Sequence, residues 1–135
     1  MRNVCVYGTL RQGEINSDLL GGSPKLATAK TREQFIMVDW GHFPAVLTAK
    51  QGHPSATQIT GEVYEVDVPT FHRLDLLEGY PHGYDRMVTP VTDQAGEIHR
   101  AWMYFVRREE LSRWMCEKFI ASGDWLKRGE NYGRR

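Results

Sequence analysis

The sequence predicts a strand-rich α+β domain whose strands close into a small β-barrel, with short helices at its periphery. Three observations carry this. Six or more runs of strand character fit within 135 residues, separated by turns that carry glycine, proline or asparagine. The helical patterns between them are short. The length is enough to bury a core without disulfide staples but not enough for two domains, so residues 1–135 read as one unit. So many strands in so short a chain favour closure.

The elements follow in order. Arg2 to Tyr7 is the first strand, with Val4 and Val6 on one face and Cys5 and Tyr7 on the other. Gly8 breaks it. Gly13 and Asn16-Ser17 lead into a short helix around Asp18 to Leu20, closed by Gly21-Gly22. Two strand-like runs lie between Lys25 and Asp39, the stronger being Gln34 to Val38. A loop over Trp40 to Pro44 precedes the short run Ala45-Val46-Leu47, and residues 50–57 read as a flexible surface loop. Ile59 to Val66 alternates as a central strand. Asp67 then caps a helix in which Pro69 is tolerated in the first turn, where its missing N–H has no intrahelical partner. That helix runs to about Leu77 and stops before Gly79 and Pro81. Strands Tyr84 to Thr92 and Glu97 to Val106 are joined by a turn around Asp93 to Gly96. A last helix is expected from Glu109 to Ala121, ended by Gly123, with Trp125 and Tyr132 packing the tail back in part.

Composition narrows the function classes. Hydrophobic residues at 41% and charged residues at 25% are ordinary for a soluble globular chain. Seventeen basic residues balance seventeen acidic ones, which argues against a nucleic-acid partner, since phosphate binding needs a basic footprint. The basic residues Lys127, Arg128, Arg134 and Arg135 read as a solvated tail. No run approaches the roughly 20 apolar residues of a membrane span, and the start enters a strand at once without a secretory pattern. A cytoplasmic location is the expectation. Cys5 and Cys116, both among apolar residues, read as buried free thiols and not as a disulfide framework. The five histidines (His42, His53, His72, His82, His99) are scattered, without metal-ligand spacing, and no serine sits on a nucleophile elbow. No metal and no cofactor are expected.

Two segments carry chemistry. In the helix that begins near Pro69, Phe71, Leu74 and Leu77 recur at helical spacing as the buried stripe, and Glu78 follows Leu74 by four residues. Glu78 thus projects from the edge of the stripe at a helix C-terminus, where both burial and the dipole disfavour its negative charge. That makes it a candidate general base; the alternative is a carboxylate in water at a helix end. The turn Tyr7-Gly8-Thr9-Leu10 exposes consecutive N–H groups that could nest a carboxylate or phosphate; the alternative is a plain turn requiring a positive φ at Gly8. Tyr84 and Arg86 stand two apart on a strand and would face one side, either orienting a substrate or, for Arg86, pairing with Asp75. Glu62 and Tyr64 also share a face, and His42 to Ala45 could wall a pocket.

Taken jointly, these segments resemble the gamma-glutamylcyclotransferase-like family, particularly its gamma-glutamylamine cyclotransferase branch. The matching pieces are Val6 to Arg11 with Gly13 and Asn16, Phe43 to Val46, Gly61 to Asp67, Leu74-Asp75 through Glu78-Gly79, and Tyr84 to Arg86. The resemblance implies a small mixed barrel with a cavity at one end. The N–H groups of Gly8, Thr9 and Leu10 would hold the α-carboxylate of a γ-glutamyl substrate, with Tyr7, Tyr84 and Arg86 also at the site. Glu78 matches the catalytic glutamate, which would take a proton from the α-amino group and return it to the leaving amine. The products would be 5-oxoproline and a free amine. A non-catalytic protein binding carboxylate ligands on the same barrel is the rival expectation.

Overall fold

A computed structural model of the chain describes residues 1–49, 52–107 and 119–128. Among these residues the strands are β1 (Arg2–Val6), β2 (Lys25–Asp39), β3 (Pro44–Thr48), β4 (Thr57–Val66), β5 (Asp85–Asp93) and β6 (Ile98–Phe105), with one α-helix, α1 (Val68–Glu78). They form a sheet in the order β3-β2-β4-β1-β6-β5, and β5 returns to pair with β2. Five strands therefore close into a barrel, with β3 extending β2 beyond it. Pairing is antiparallel except between β1 and β6, which run parallel with Val4 opposite Trp102. The barrel is mixed, as expected.

Alternation along β1 divides its side chains between two cores. Cys5 joins Ala29, Val63, Val91 and Ala101, one residue from each of the five closing strands, in a ring of small side chains inside the barrel. This narrow bore explains Gly61 on β4, where a Cβ would come within 2.6 Å of the Cys5 Sγ and 2.8 Å of the Val6 carbonyl oxygen. Val4 and Val6 face outward with Tyr64 and Val66, and they receive Phe71 and Leu74 of α1. Helix α1 thus lies on the outside of the β1–β4 pair. Asp67 caps it, its carboxylate accepting from the Thr70 N–H at 2.8 Å, and Gly79 ends it in the left-handed region at φ 69°.

Several boundaries differ from the sequence reading, each for a physical reason. The two runs between Lys25 and Asp39 are one strand of 15 residues. A register shift between Lys30 and Gln34 lets its two halves serve different partners. Ser17–Leu20 is a single 3-10 turn. Of the helix expected over Glu109–Ala121, residues 109–118 lie outside the described residues, as does Cys116. Its end is not helical, because Phe119 bridges Val38 and the Ile120 N–H donates to the Met37 carbonyl at 2.9 Å. Lys50 and Gln51 of the expected surface loop, and Tyr132, Arg134 and Arg135 of the tail, are likewise outside. The tail does pack back: Trp125 is 1% exposed within the core of Tyr7, Phe35, Met37 and Ile120. Arg128, expected in solvent, stacks on the Trp125 ring at 4.1 Å.

No helix among the described residues is long and apolar enough to cross a membrane. Among those residues no group of three or more His, Cys, Asp or Glu could hold a metal ion.

Candidate active site

A cavity of about 410 Å³ opens where β1 runs into the first loop, beside the C-terminal end of α1. Tyr7, Gly8, Thr9 and Leu10 line it from the loop, Phe43 and Pro44 from the entry to β3, Glu78 from α1, Tyr84 from the segment before β5, and Tyr104 from β6. Of the seven residues expected at the site, six are brought together here. The seventh, Arg86, is not.

The first loop is held from both sides. The Arg11 N–H donates to the Gly8 carbonyl at 3.0 Å, closing a turn, and the Asn16 N–H donates to the Thr9 carbonyl at 2.8 Å. The Asn16 side chain adds a bond from Nδ2 to Thr9 Oγ1 at 2.9 Å. Beneath the loop, Arg11 is 4% exposed and pairs through Nε with Glu62 at 3.1 Å and through a terminal nitrogen with Asp124 at 2.8 Å. Glu62 also accepts from the Gln12 N–H and the Tyr64 hydroxyl, each at 2.9 Å. Burial alone would raise the Glu62 pKa, but these hydrogen bonds and the Arg11 charge outweigh it and hold the carboxylate below its ordinary value. The N–H groups of Gly8, Thr9 and Leu10 donate to no acceptor among the described residues.

Gly8 is not at positive φ, contrary to the simple turn reading. Its requirement is one of space: a Cβ there would lie 2.6 Å from Pro44 Cγ and 2.8 Å from Pro44 Cδ. The first loop and the Phe43-Pro44 segment touch across the cavity wall only because this residue has no side chain.

Glu78 is placed by what surrounds the end of α1. The Tyr84 N–H donates to the Glu78 carbonyl at 3.0 Å and the Gly83 N–H to the Gly79 carbonyl at 2.7 Å. Leu77 is 42% exposed and sits at the cavity rim instead of completing the buried stripe. Glu78 itself is half-buried, and its carboxylate makes no hydrogen bond or ion pair among the described residues. Loss of water with no compensating partner pushes its pKa from 4.5 up to about 7. This carboxyl can both lose and regain a proton near neutrality.

Arg86 points away from the cavity. Its guanidinium stacks against Phe71, Tyr80 and Trp102, at 4.6, 4.1 and 4.6 Å from the ring centres, and its Nε donates to Asp75 at 3.0 Å. Three aromatic faces and one carboxylate occupy its charge, which fastens α1 to the barrel. Tyr84 precedes β5 and turns the other way, its hydroxyl donating to the Pro44 carbonyl at 2.9 Å and its ring packing near Trp40. The shared face expected of Tyr84 and Arg86 is lost because Tyr84 is not yet in the strand.

Sequence reasoning missed Tyr104, whose hydroxyl donates to Asp75 at 2.6 Å and which lines the cavity. Its only sequence signal is its place on β6, opposite Arg86, visible once the hairpin register is known. Cys5 borders the same cavity, but burial pushes its thiol up to about 12, which leaves it protonated and unreactive at neutral pH.

Comparison with known proteins shows the family. The family model described as "Gamma-glutamyl cyclotransferase, AIG2-like" matches residues 4–127. A provisional gamma-glutamylcyclotransferase of Vibrio cholerae is 37% identical over 127 residues, covering 93% of this chain and 96% of that protein. The gamma-L-glutamyl-butirosin B gamma-glutamyl cyclotransferase of Niallia circulans is 34% identical over 120 residues, 82% of this chain and 70% of that protein. Among solved structures, an AIG2-like protein of Mus musculus superposes with a TM-score of 0.77 at 27% identity, covering 92% of this chain and 88% of the other.

Proposed function

The chain belongs to the gamma-glutamyl cyclotransferase, AIG2-like family, in which a γ-glutamyl compound is cyclised, and from that premise we propose that it releases 5-oxoproline from a γ-glutamyl amine with Glu78 as the proton-transfer group. The observation that carries this reading is the Glu78 carboxylate, without a partner among the described residues, in a cavity whose other wall is a loop with three N–H groups that likewise have no partner among them. Consecutive amide N–H groups suit an anion, here the substrate α-carboxylate. Holding that end directs the neighbouring α-amino group toward Glu78.

In the proposed reaction the Glu78 carboxylate takes a proton from the α-ammonium. The freed lone pair attacks the γ-carbonyl carbon, forming a carbon–nitrogen bond and a five-membered ring. The Glu78 carboxyl then gives its proton to the departing nitrogen as the old carbon–nitrogen bond breaks. The carboxylate so regenerated takes the second proton from the ring nitrogen, which ends as the lactam N–H, and that proton leaves with the released amine as its ammonium. Substrate atoms alone make up both products, so no water or co-reactant is consumed. A pKa of about 7 suits a group that must act as base and then as acid within one cycle. Ring closure within one bound molecule gains from proximity.

The choice of an amine over an amino acid as leaving group rests on the rim. Ile15, Phe43 and Leu77 are exposed there, and no Lys or Arg is among the described lining residues. A γ-glutamyl amino acid would bring a second carboxylate to that largely apolar edge, where His42 is the one described lining side chain that can become a cation. The test is mass-spectrometric detection of 5-oxoproline from γ-glutamyl-ε-lysine, γ-glutamyl polyamines, γ-glutamyl amino acids and glutathione. We expect the γ-glutamyl polyamines, which alone in this panel carry no second carboxylate, to have the highest kcat/KM. Preference for the amino acids would overturn the amine assignment, and no product from any of them would overturn the reaction.

A further inference from the structure

The first loop carries the N–H groups of Gly8, Thr9 and Leu10, yet it is built of turns alone. Arg11, Glu14 and Ser17 each donate an N–H three residues back, to the carbonyls of Gly8, Arg11 and Glu14, at 3.0, 2.9 and 3.1 Å. Residues 8–16 belong to no strand, so no sheet ladder fixes the direction of these amides and side chains must do so. Glu62 of β4 holds the loop from beneath. The other side-chain anchors from outside the loop, among the described residues, lie 113 and 111 residues further on. Asp124 Oδ1 accepts from an Arg11 terminal nitrogen at 2.8 Å and from the Leu126 N–H at 3.0 Å, so one oxygen ties the loop to the 3-10 turn Trp125–Lys127. Glu14 Oε1 accepts from the Trp125 indole N–H at 3.2 Å and lies 3.9 Å from the Arg128 guanidinium. Trp125 cannot follow a moving loop, because its ring is packed in the core with Tyr7, Met37 and Ile120. Its N–H has no other acceptor among the described residues, and a buried indole N–H needs one. The turn is itself anchored: the Thr60 N–H donates to the Gly123 carbonyl at 2.9 Å, and a Cβ on Gly123 would run into the Gln58 carbonyl oxygen. The core thus sets Trp125, and Trp125 with Asp124 sets the loop.

We infer that Glu14, Asp124 and Trp125 are positioning residues for substrate binding, through which the C-terminal segment aims the first loop at the substrate carboxylate. The inference rests on the carboxylate-holding role proposed for that loop and adds what keeps its donors in place. None of the three lines the cavity, so each acts through the loop. An N–H···O bond weakens steeply as it bends. A loop free to rock therefore gives up part of three charge-assisted bonds at once, and donors held in place beforehand lose less on binding. The substrate carboxylate takes no part in bond making, so the loop holds it equally before and during the reaction. Its loosening falls on KM and leaves kcat.

Two measurements test this role: steady-state kinetics with the γ-glutamyl amine that the parent turns over, and calorimetric binding of 5-oxoproline and 2-pyrrolidinone. The two ligands differ only by the carboxylate. The proteins compared are the parent, Glu14→Ala, Asp124→Ala, and the conservative Glu14→Gln and Asp124→Asn, which keep the accepting oxygen. Each is checked for folding by circular dichroism. The parent should bind 5-oxoproline at least about tenfold more tightly than 2-pyrrolidinone. Each alanine variant should raise KM and weaken 5-oxoproline about tenfold, with kcat and 2-pyrrolidinone affinity within about twofold of the parent. The conservative variants should recover most of that loss, which a general loosening of the fold would not predict. Glu14→Ala decides if Asp124→Ala does not fold. Unchanged 5-oxoproline affinity in a folded alanine variant, equal loss for both ligands, or a parent without the ligand preference would overturn the positioning role. Separate failure of the reaction is recognisable: a parent that shows the preference, loses it in Glu14→Ala and releases no 5-oxoproline keeps the role and loses the chemistry.

Discussion

Raising the pH from 4.5 to 8 should cost this protein stability through Glu78, and Glu78→Gln should remove that part of the cost. In the folded chain the carboxyl titrates at about 7 instead of 4.5, so between those values the native state holds a proton that the unfolded chain has lost. Stability then falls as pH rises, because the slope follows the difference in bound protons between unfolded and native states. The stabilising contribution is complete below the unfolded value and gone once pH has passed the folded one. At about 1.4 kcal/mol per pH unit, and allowing for partial contact with water, the change is about 2–3 kcal/mol. A chain of this length loses roughly 3–4 °C of Tm per kcal/mol, which gives about 7–10 °C. Glutamine keeps the shape of the neutral acid but cannot ionise. The assay is thermal unfolding of parent and Glu78→Gln at half-unit steps from pH 4.5 to 8. Their difference in Tm should be smallest at the acid end and grow by about 7–10 °C in the variant's favour. Taking the difference cancels every other titrating group. Parallel curves would refute the reasoning, and a gap that widened toward acid would mean that the fold stabilises the anion.

Gly8→Ala forces a Cβ to within 2.6 Å of Pro44. Overpacking of this kind costs about 1–3 kcal/mol, so Tm should fall by roughly 4–10 °C, with KM raised because both displaced segments line the cavity; an unchanged Tm would deny the contact. Glu62→Ala strips the partners from Arg11 Nε, the Gln12 N–H and the Tyr64 hydroxyl. Breaking a buried pair costs about 3–5 kcal/mol, so thermal unfolding should show a drop of roughly 10 °C or more, and a loss of only a degree or two would show that the network is not structural.

Much of the site was legible because its local rules agree. Asp67, Pro69 and Gly79 mark the two ends of α1, and the count of four from Leu74 puts Glu78 on the edge of its buried face. The break after β1 at Gly8 was also plain. What could not be read depends on contacts between distant strands. The return of β5 to β2 is set by the register of Ala29, Lys30 and Thr31 with Asp93, Thr92 and Val91, and no local pattern encodes it. Arg86 looked like a site residue by its proximity to Tyr84 in sequence. Its cage of Phe71, Tyr80 and Trp102 draws on α1, the turn after it and β6, visible only once α1 is packed on the barrel. The positive φ offered as the alternative reading of Gly8 does not hold; a proline 36 residues further on fills the space a side chain would take.

The central claim is that one carboxyl moves the proton both ways, and the most direct measurement is 5-oxoproline release by Glu78→Gln beside the parent, with a γ-glutamyl amine that the parent turns over. Loss of a positioned acid–base group removes about 10²–10⁴-fold of rate, so the variant should lose at least about a hundredfold in kcat. It should do so while remaining folded. Turnover by Glu78→Gln at the parent's rate would contradict the account.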